Sequence, residues 1–159
     1  MRYLKAGAAF LVAFLMQGSL LNMISIAGHT PNLILALVVA ISFLYDKEIY
    51  GLLFGAIFGV IYDMCYSFMI GPTPIALVVT AMCVILMRYY ANVENSVSMS
   101  VVSIIAFVIY YICNWGLYTL AGVPIGLSYA LSNSVIPMFY TLVVAFVVYK
   151  VLIKNVVKH

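Results

Sequence analysis

Charge is what this sequence has least of. Of its 159 residues, 7% are charged, seven Lys/Arg against four Asp/Glu, and only two are histidine. A soluble domain carries about 25% charged and about 45–50% apolar residues, whereas 67% are apolar here. So few charges cannot coat a water-facing surface, which excludes a soluble enzyme, a nucleic-acid-binding domain and a disordered chain. The bases are scattered at Arg2, Lys5, Lys47, Arg88, Lys150, Lys154 and Lys158, with no run dense enough to track a phosphate backbone. Cysteine is sparse too. Cys65, Cys83 and Cys113 stand alone in apolar stretches. An odd set without CxxC spacing encodes neither a zinc site nor a disulfide framework, and these three read as small buried hydrophobes. No Ser/His/Asp set, HExxH, GxxxxGK or paired carboxylate is found, so neither catalysis nor a cofactor or metal is expected.

What the sequence does have is apolar length. A helix of about 20 residues crosses roughly 30 Å of hydrocarbon. Six such spans account for nearly the whole chain and leave no room for a soluble domain. The expected fold is therefore all-α, a single six-span membrane domain over 1–159, with spans at 6–26, 31–45, 49–70, 75–90, 97–117 and 134–153. Pro31 suits the first residue of the second helix, and Asp46-Lys47-Glu48 ends it. Gly71-Pro72-Thr73-Pro74 breaks the third span from the fourth. Ser134 is expected to cap the sixth, with Pro137 in its first turn. Arg2 and Lys5 before an apolar run, with Ser25-Ile26-Ala27 beyond it, imitate a signal peptide. That run is long and carries Gln17, Ser19 and Asn22, so it reads as a retained span.

Six spans with both termini cytoplasmic put all seven Lys/Arg inside or at the inner membrane edge, as the positive-inside rule requires. Tyr3, Tyr45, Tyr50, Tyr89, Tyr90 and Tyr149 then gather at the inner edge, and Trp115, Tyr118 and Tyr129 near the outer one. The segment 121–133 reads as either an outer interfacial helix or a re-entrant loop. Asn114 reads as an interfacial anchor, His29 as a solvated turn residue, and Asn22, Asn133 and Ser134 as candidates to line an outer cavity.

The densest signal lies in the third span, where Gly51, Gly55, Gly59 and Asp63 follow at four-residue spacing. Each step drifts only about 40° round a helix, so the glycines form one shallow groove. Such a groove admits a close helix, either a neighbour in the same chain or a partner's. Asp63 is the only acid inside an expected span. An Asp at mid-membrane costs about 2.5–3.5 kcal/mol on the insertion scale, so it demands a partner. Three roles stand open: a structural hydrogen bond, a contact orienting a partner, and a proton or cation path. Ala9, Ala13 and Gln17 repeat the same spacing in the first span, a second small-residue packing or partner face.

Several of these residues together resemble the rod shape-determining MreD family. They are Pro31-Asn32-Leu33-Ile34-Leu35, then Gly55-Ala56-Ile57-Phe58-Gly59-Val60-Ile61-Tyr62-Asp63, then Gly71 with Pro74-Ile75-Ala76-Leu77. The architecture matches over the whole chain, the motifs only over about residues 31–77. Cys65-Tyr66-Ser67-Phe68 departs from the small or leucine-rich residues usual there. The resemblance implies a non-catalytic scaffold of the bacterial elongation machinery in the cytoplasmic membrane. Implied partners are an MreC-like single-span protein, MreB, a RodA-type glycosyltransferase and a class B penicillin-binding protein, besides membrane lipid and with no nucleic acid. That family's fold is similar to the substrate-binding subunits of energy-coupling factor transporters. The alternative expectation is therefore a vitamin- or metal-binding subunit that docks its transporter through the Ala9/Ala13 face.

Overall fold

The computed structural model describes residues 2–19, 30–45, 49–93, 95–123 and 126–156, and among them it is all-helical, with no strand. The helices are α1 (Arg2–Ser19), α2 (Leu33–Leu44), α3 (Ile49–Tyr66), α4 (Pro72–Arg88), α5 (Ser96–Leu120) and α6 (Leu127–Val156). Two stretches, Ser96–Leu120 and Leu127–Ile153, are long and apolar enough to cross a membrane. The other four helices contribute shorter apolar segments.

Helix α2 is the hub. It touches each of the other five, and α1, α3, α4, α5 and α6 follow one another around it in that order. Every α2 residue from Ile34 to Leu44 is buried. This explains its composition, LILALVVAISFL, which is apolar on all sides rather than along one stripe. At about 1.5 Å per residue its twelve residues rise only about 18 Å. A helix enclosed by protein need not match lipid thickness, because mismatch acts on lipid-facing surfaces. The surrounding helices turn large apolar side chains outward, among them Leu4, Leu11 and Leu15 on α1, Ile104 and Ile112 on α5, and Phe139 and Val143 on α6. Rings knit α1 to α3: Phe10 stacks on Phe54 and Phe58 with centroids 5.6 and 5.5 Å apart.

Several boundaries differ from expectation for physical reasons. Helix α2 starts after Asn32, not at Pro31, because the Asn32 side chain accepts the Leu35 N–H and fixes the cap there. The chain does break between α3 and α4, at 67–71, and Pro72 and Pro74 lie just past the break in the first turn of α4, where a missing N–H costs nothing. Helix α6 begins at Leu127, so Ser134 is not its cap. The Ser134 hydroxyl donates to the Ala130 carbonyl one turn back, and Pro137 lies inside the helix. Most of 121–133 is thus turn and early α6. Cys65 is exposed, and Cys83 and Cys113 are half-buried. Tyr50 and Tyr149 are core residues, whereas Tyr89 and Tyr90 are exposed. Asn22, His29, the 25–27 segment and the break at 46–48 lie outside the described residues.

Candidate functional site

Asp63 is fully buried near the end of α3. Its Oδ2 accepts the N–H of Gly71 at 2.9 Å and of Thr73 at 3.1 Å. Those two are the donors that the start of α4 has to offer. Pro72 and Pro74 carry no N–H, and the Ile75 N–H closes the first helical bond to the Gly71 carbonyl. A helix start leaves unpaired N–H groups that need an acceptor. Here two prolines remove two of them and one carboxylate oxygen takes the rest. Gly71 holds φ 127°, a conformation L side chains rarely adopt. Oδ1 of Asp63 has no hydrogen-bond partner among the described residues.

The glycine groove is filled from within the chain. A Cβ on Gly51 would strike the Ser42 hydroxyl of α2, and one on Gly55 would sit 3.0 Å from Val38 Cγ2. One on Gly59 would lie 2.7 Å from Pro74 Cα in α4. The occupants of this face are therefore α2 and α4. The second small face also turns inward, with Ala13 and Gln17 buried and Ala9 packed against the core. Gln17 Oε1 accepts the Ile34 N–H at 3.4 Å, so α2, like α4, has its first turn capped by a side chain of the preceding helix.

Both capped starts face one cavity of about 450 Å³, within the range of about 300–1,000 Å³ typical of ligand sites. Its existence follows from helix lengths. The Asn32 N–H donates to Thr141 Oγ1 at 3.0 Å, so α6 runs fourteen residues, Leu127 to Tyr140, before reaching the level where α2 begins. That is about 21 Å of α6 with no α2 beside it. Asn32 Nδ2 donates to the Tyr110 hydroxyl at 3.4 Å, and α5 likewise continues ten residues past Tyr110 to Leu120. Asn32, Gln17 and Thr73 lie at its floor. Tyr62, Tyr66 and Ser67 come from the end of α3, Tyr110, Tyr111, Asn114, Trp115 and Tyr118 from α5, and Tyr129, Asn133 and Ser134 from α6. Ser67 and Tyr118 share a 2.6 Å hydrogen bond that ties two of these walls.

No described lining residue carries a formal charge, while six of the thirteen tyrosines and the sole tryptophan are concentrated there. Asn133 and Ser134 belong to this lining, and so does Asn114. Sequence reasoning missed Gln17, Asn32, Tyr62, Tyr66, Tyr110 and Tyr111 as cavity residues. It looked for polar side chains in the turns, and they come from inside the helices. The signal was present as stripes at helical spacing: Tyr62 and Tyr66; Tyr110, Asn114 and Tyr118; Tyr129, Asn133 and Pro137. Two described bases lie towards the opposite end of the bundle. Arg88, in the last turn of α4, donates to the Tyr45 carbonyl at the C-cap of α2, and Lys150 lies over the Phe146 ring of α6. Comparison with family models, curated proteins and solved structures finds no match to this chain.

Proposed function

We propose that this chain is a non-catalytic, multi-pass scaffold of the bacterial elongation machinery, working as the MreD family does. It lies in the cytoplasmic membrane with both termini inside and helps organise lateral peptidoglycan synthesis. The observation that carries this reading is the convergence of the residues behind the resemblance. Gly55 and Gly59 seat α2 and α4, Asp63 caps α4 through Gly71 and Thr73, and Asn32 caps α2. A motif whose scattered residues build one structural device is stronger support than the same residues unconnected. The two spanning-length helices and the outward apolar faces of α1, α5 and α6 agree with a bilayer setting. With the glycine face occupied, partner helices meet those outer faces instead.

The test is crosslinking in native membranes, mild solubilisation, affinity capture of the full chain and identification of what is bound. Recovery of an MreC-like single-span protein with a RodA-type glycosyltransferase and a class B penicillin-binding protein is the expected result. Recovery of ATPases with a shared membrane coupling subunit would replace the scaffold by the second reading, a substrate-binding subunit of an energy-coupling factor transporter. The cavity favours that second reading for an organic ligand. It does not favour a metal, since the described lining residues offer no carboxylate, imidazole or thiolate.

A further inference from the structure

We infer that the cavity between the starts of α2 and α4 and the walls of α5 and α6 binds an uncharged, ring-shaped polar molecule. This inference rests on the cavity alone and stands or falls separately from the scaffold reading. Three properties of the site select the ligand. The first is charge. None of the seventeen lining residues is ionic, and a site without counter-charges strips an ion of water with nothing in return. The second is the pairing of flat aromatic faces with amides. Tyr62 and Tyr66 lie 5.3 Å apart at 41°, and Tyr110 and Tyr111 5.4 Å apart at 77°. They present ring faces and edges in several directions, while Asn114 and Asn133 bring both donors and acceptors. An acyl chain would leave those amides and hydroxyls unpaired. A ring with an apolar face and a hydrogen-bonding rim satisfies both.

The third property is a backbone acceptor created by the fold. Pro137 sits inside α6 and has no N–H to return to the Asn133 carbonyl. Both residues line the cavity, so the helix lacks its own donor for that carbonyl at the wall. The volume sets the size. At about 30 Å³ per water, the cavity holds the equivalent of about fifteen waters, which suits one or two small rings. A sugar ring and a neutral heteroaromatic ring share this chemistry, and the experiment tells them apart.

The chain carries its own reporter, because its single tryptophan, Trp115, lines the cavity. Full-length protein in lipid nanodiscs is titrated with N-acetylglucosamine and with nicotinamide while Trp115 fluorescence is followed. Calorimetry on the same samples reads binding that leaves the fluorescence unchanged. Nicotinate is the charged near-isostere of nicotinamide, and glucosamine, read against its neutral near-isostere glucose, is the charged counterpart on the sugar side. The expected result is saturable binding of one neutral probe, with its charged counterpart weaker by roughly tenfold or more. The probe that binds identifies the ring class. Asn114→Leu and Tyr129→Ala should each weaken binding by about tenfold, and Tyr129→Ala should do so with the melting temperature unchanged. Tyr129 is 67% exposed, so its truncation does not disturb the core. No saturable binding of either neutral probe overturns the inference. So does equal binding of the charged counterpart, or unchanged binding in both variants.

Discussion

Among the described residues Asp63 holds two hydrogen bonds on one oxygen and none on the other, so its task at α4 calls for an acceptor. Asp63→Asn keeps one oxygen able to face Gly71 and Thr73, and should melt close to the parent. Asp63→Ala leaves two N–H groups without that acceptor and should lower stability by about 1–3 kcal/mol, read as a lower melting temperature in nanodiscs. If Asp63→Asn falls as far as Asp63→Ala, the ionised carboxylate is what the site requires. The glycines give a graded series by the same method. Gly59→Ala drives a methyl into the backbone of the capped turn at Pro74, 2.7 Å away, and should cost about 1–3 kcal/mol. Gly55→Ala meets only a Val38 methyl at 3.0 Å and should cost less. Gly116→Ala meets nothing within 4 Å and, inside α5 about one turn from its end, should be neutral or stabilising by about 0.5–1 kcal/mol. Equal costs at Gly59 and Gly116 would remove the close approach of α3 and α4 from the account.

At the scale of the element, α2 is tied at both ends by side chains of other helices. Gln17 and Thr141 bind its start, and Arg88 binds its C-terminal carbonyl end. Replacing Gln17 by Leu should speed hydrogen exchange at the Ile34 amide and its neighbours while leaving mid-helix amides protected, since loss of one acceptor frays a terminus first. Uniform deprotection of α2 would mean instead that α1 has come away from the bundle. Six helices were legible in the sequence because apolar runs and breakers are local features. That α2 is central was also written there, in its lack of any polar face, although its 12 residues make it the shortest of the six described helices. The occupant of the glycine groove was not legible, because small residues four apart admit any helix, and only the folded chain shows Val38, Pro74 and Leu77 in it. The start of α6 was misread for a related reason. Ser134 and Pro137 form a plausible first turn by residue type, yet a serine hydroxyl can equally bond back to Ala130 within a continuing helix. The cavity escaped notice because its polar groups sit on apolar helices, each stripe unremarkable until three of them face one another.

For the whole molecule, the short hub and the long walls explain the cavity, and the wall lengths bear on the proposed topology. Helix α5, with 25 residues, rises about 37 Å, enough to cross about 30 Å of hydrocarbon with its ends in the interfaces. Its start, Ser96, comes after Arg88 at the basic end of the bundle, and its finish, Leu120, lies just beyond the cavity-lining Tyr118. On the proposed topology the positive-inside rule puts the basic end in the cytoplasm, and the cavity is then expected to open outward. Labelling decides this directly. With Cys65, Cys83 and Cys113 replaced by alanine, Tyr90→Cys and Ala121→Cys each add one thiol at an exposed position flanking α5. A membrane-impermeant maleimide applied to intact cells, or to spheroplasts if an outer membrane is present, should label Ala121→Cys fully. Tyr90→Cys should react only after the cytoplasmic membrane is opened. Reversed labelling would turn the cavity inward and break the charge rule at all seven bases. Labelling of both from outside would show that α5 does not cross the membrane at all, and the six-span arrangement would fail with it.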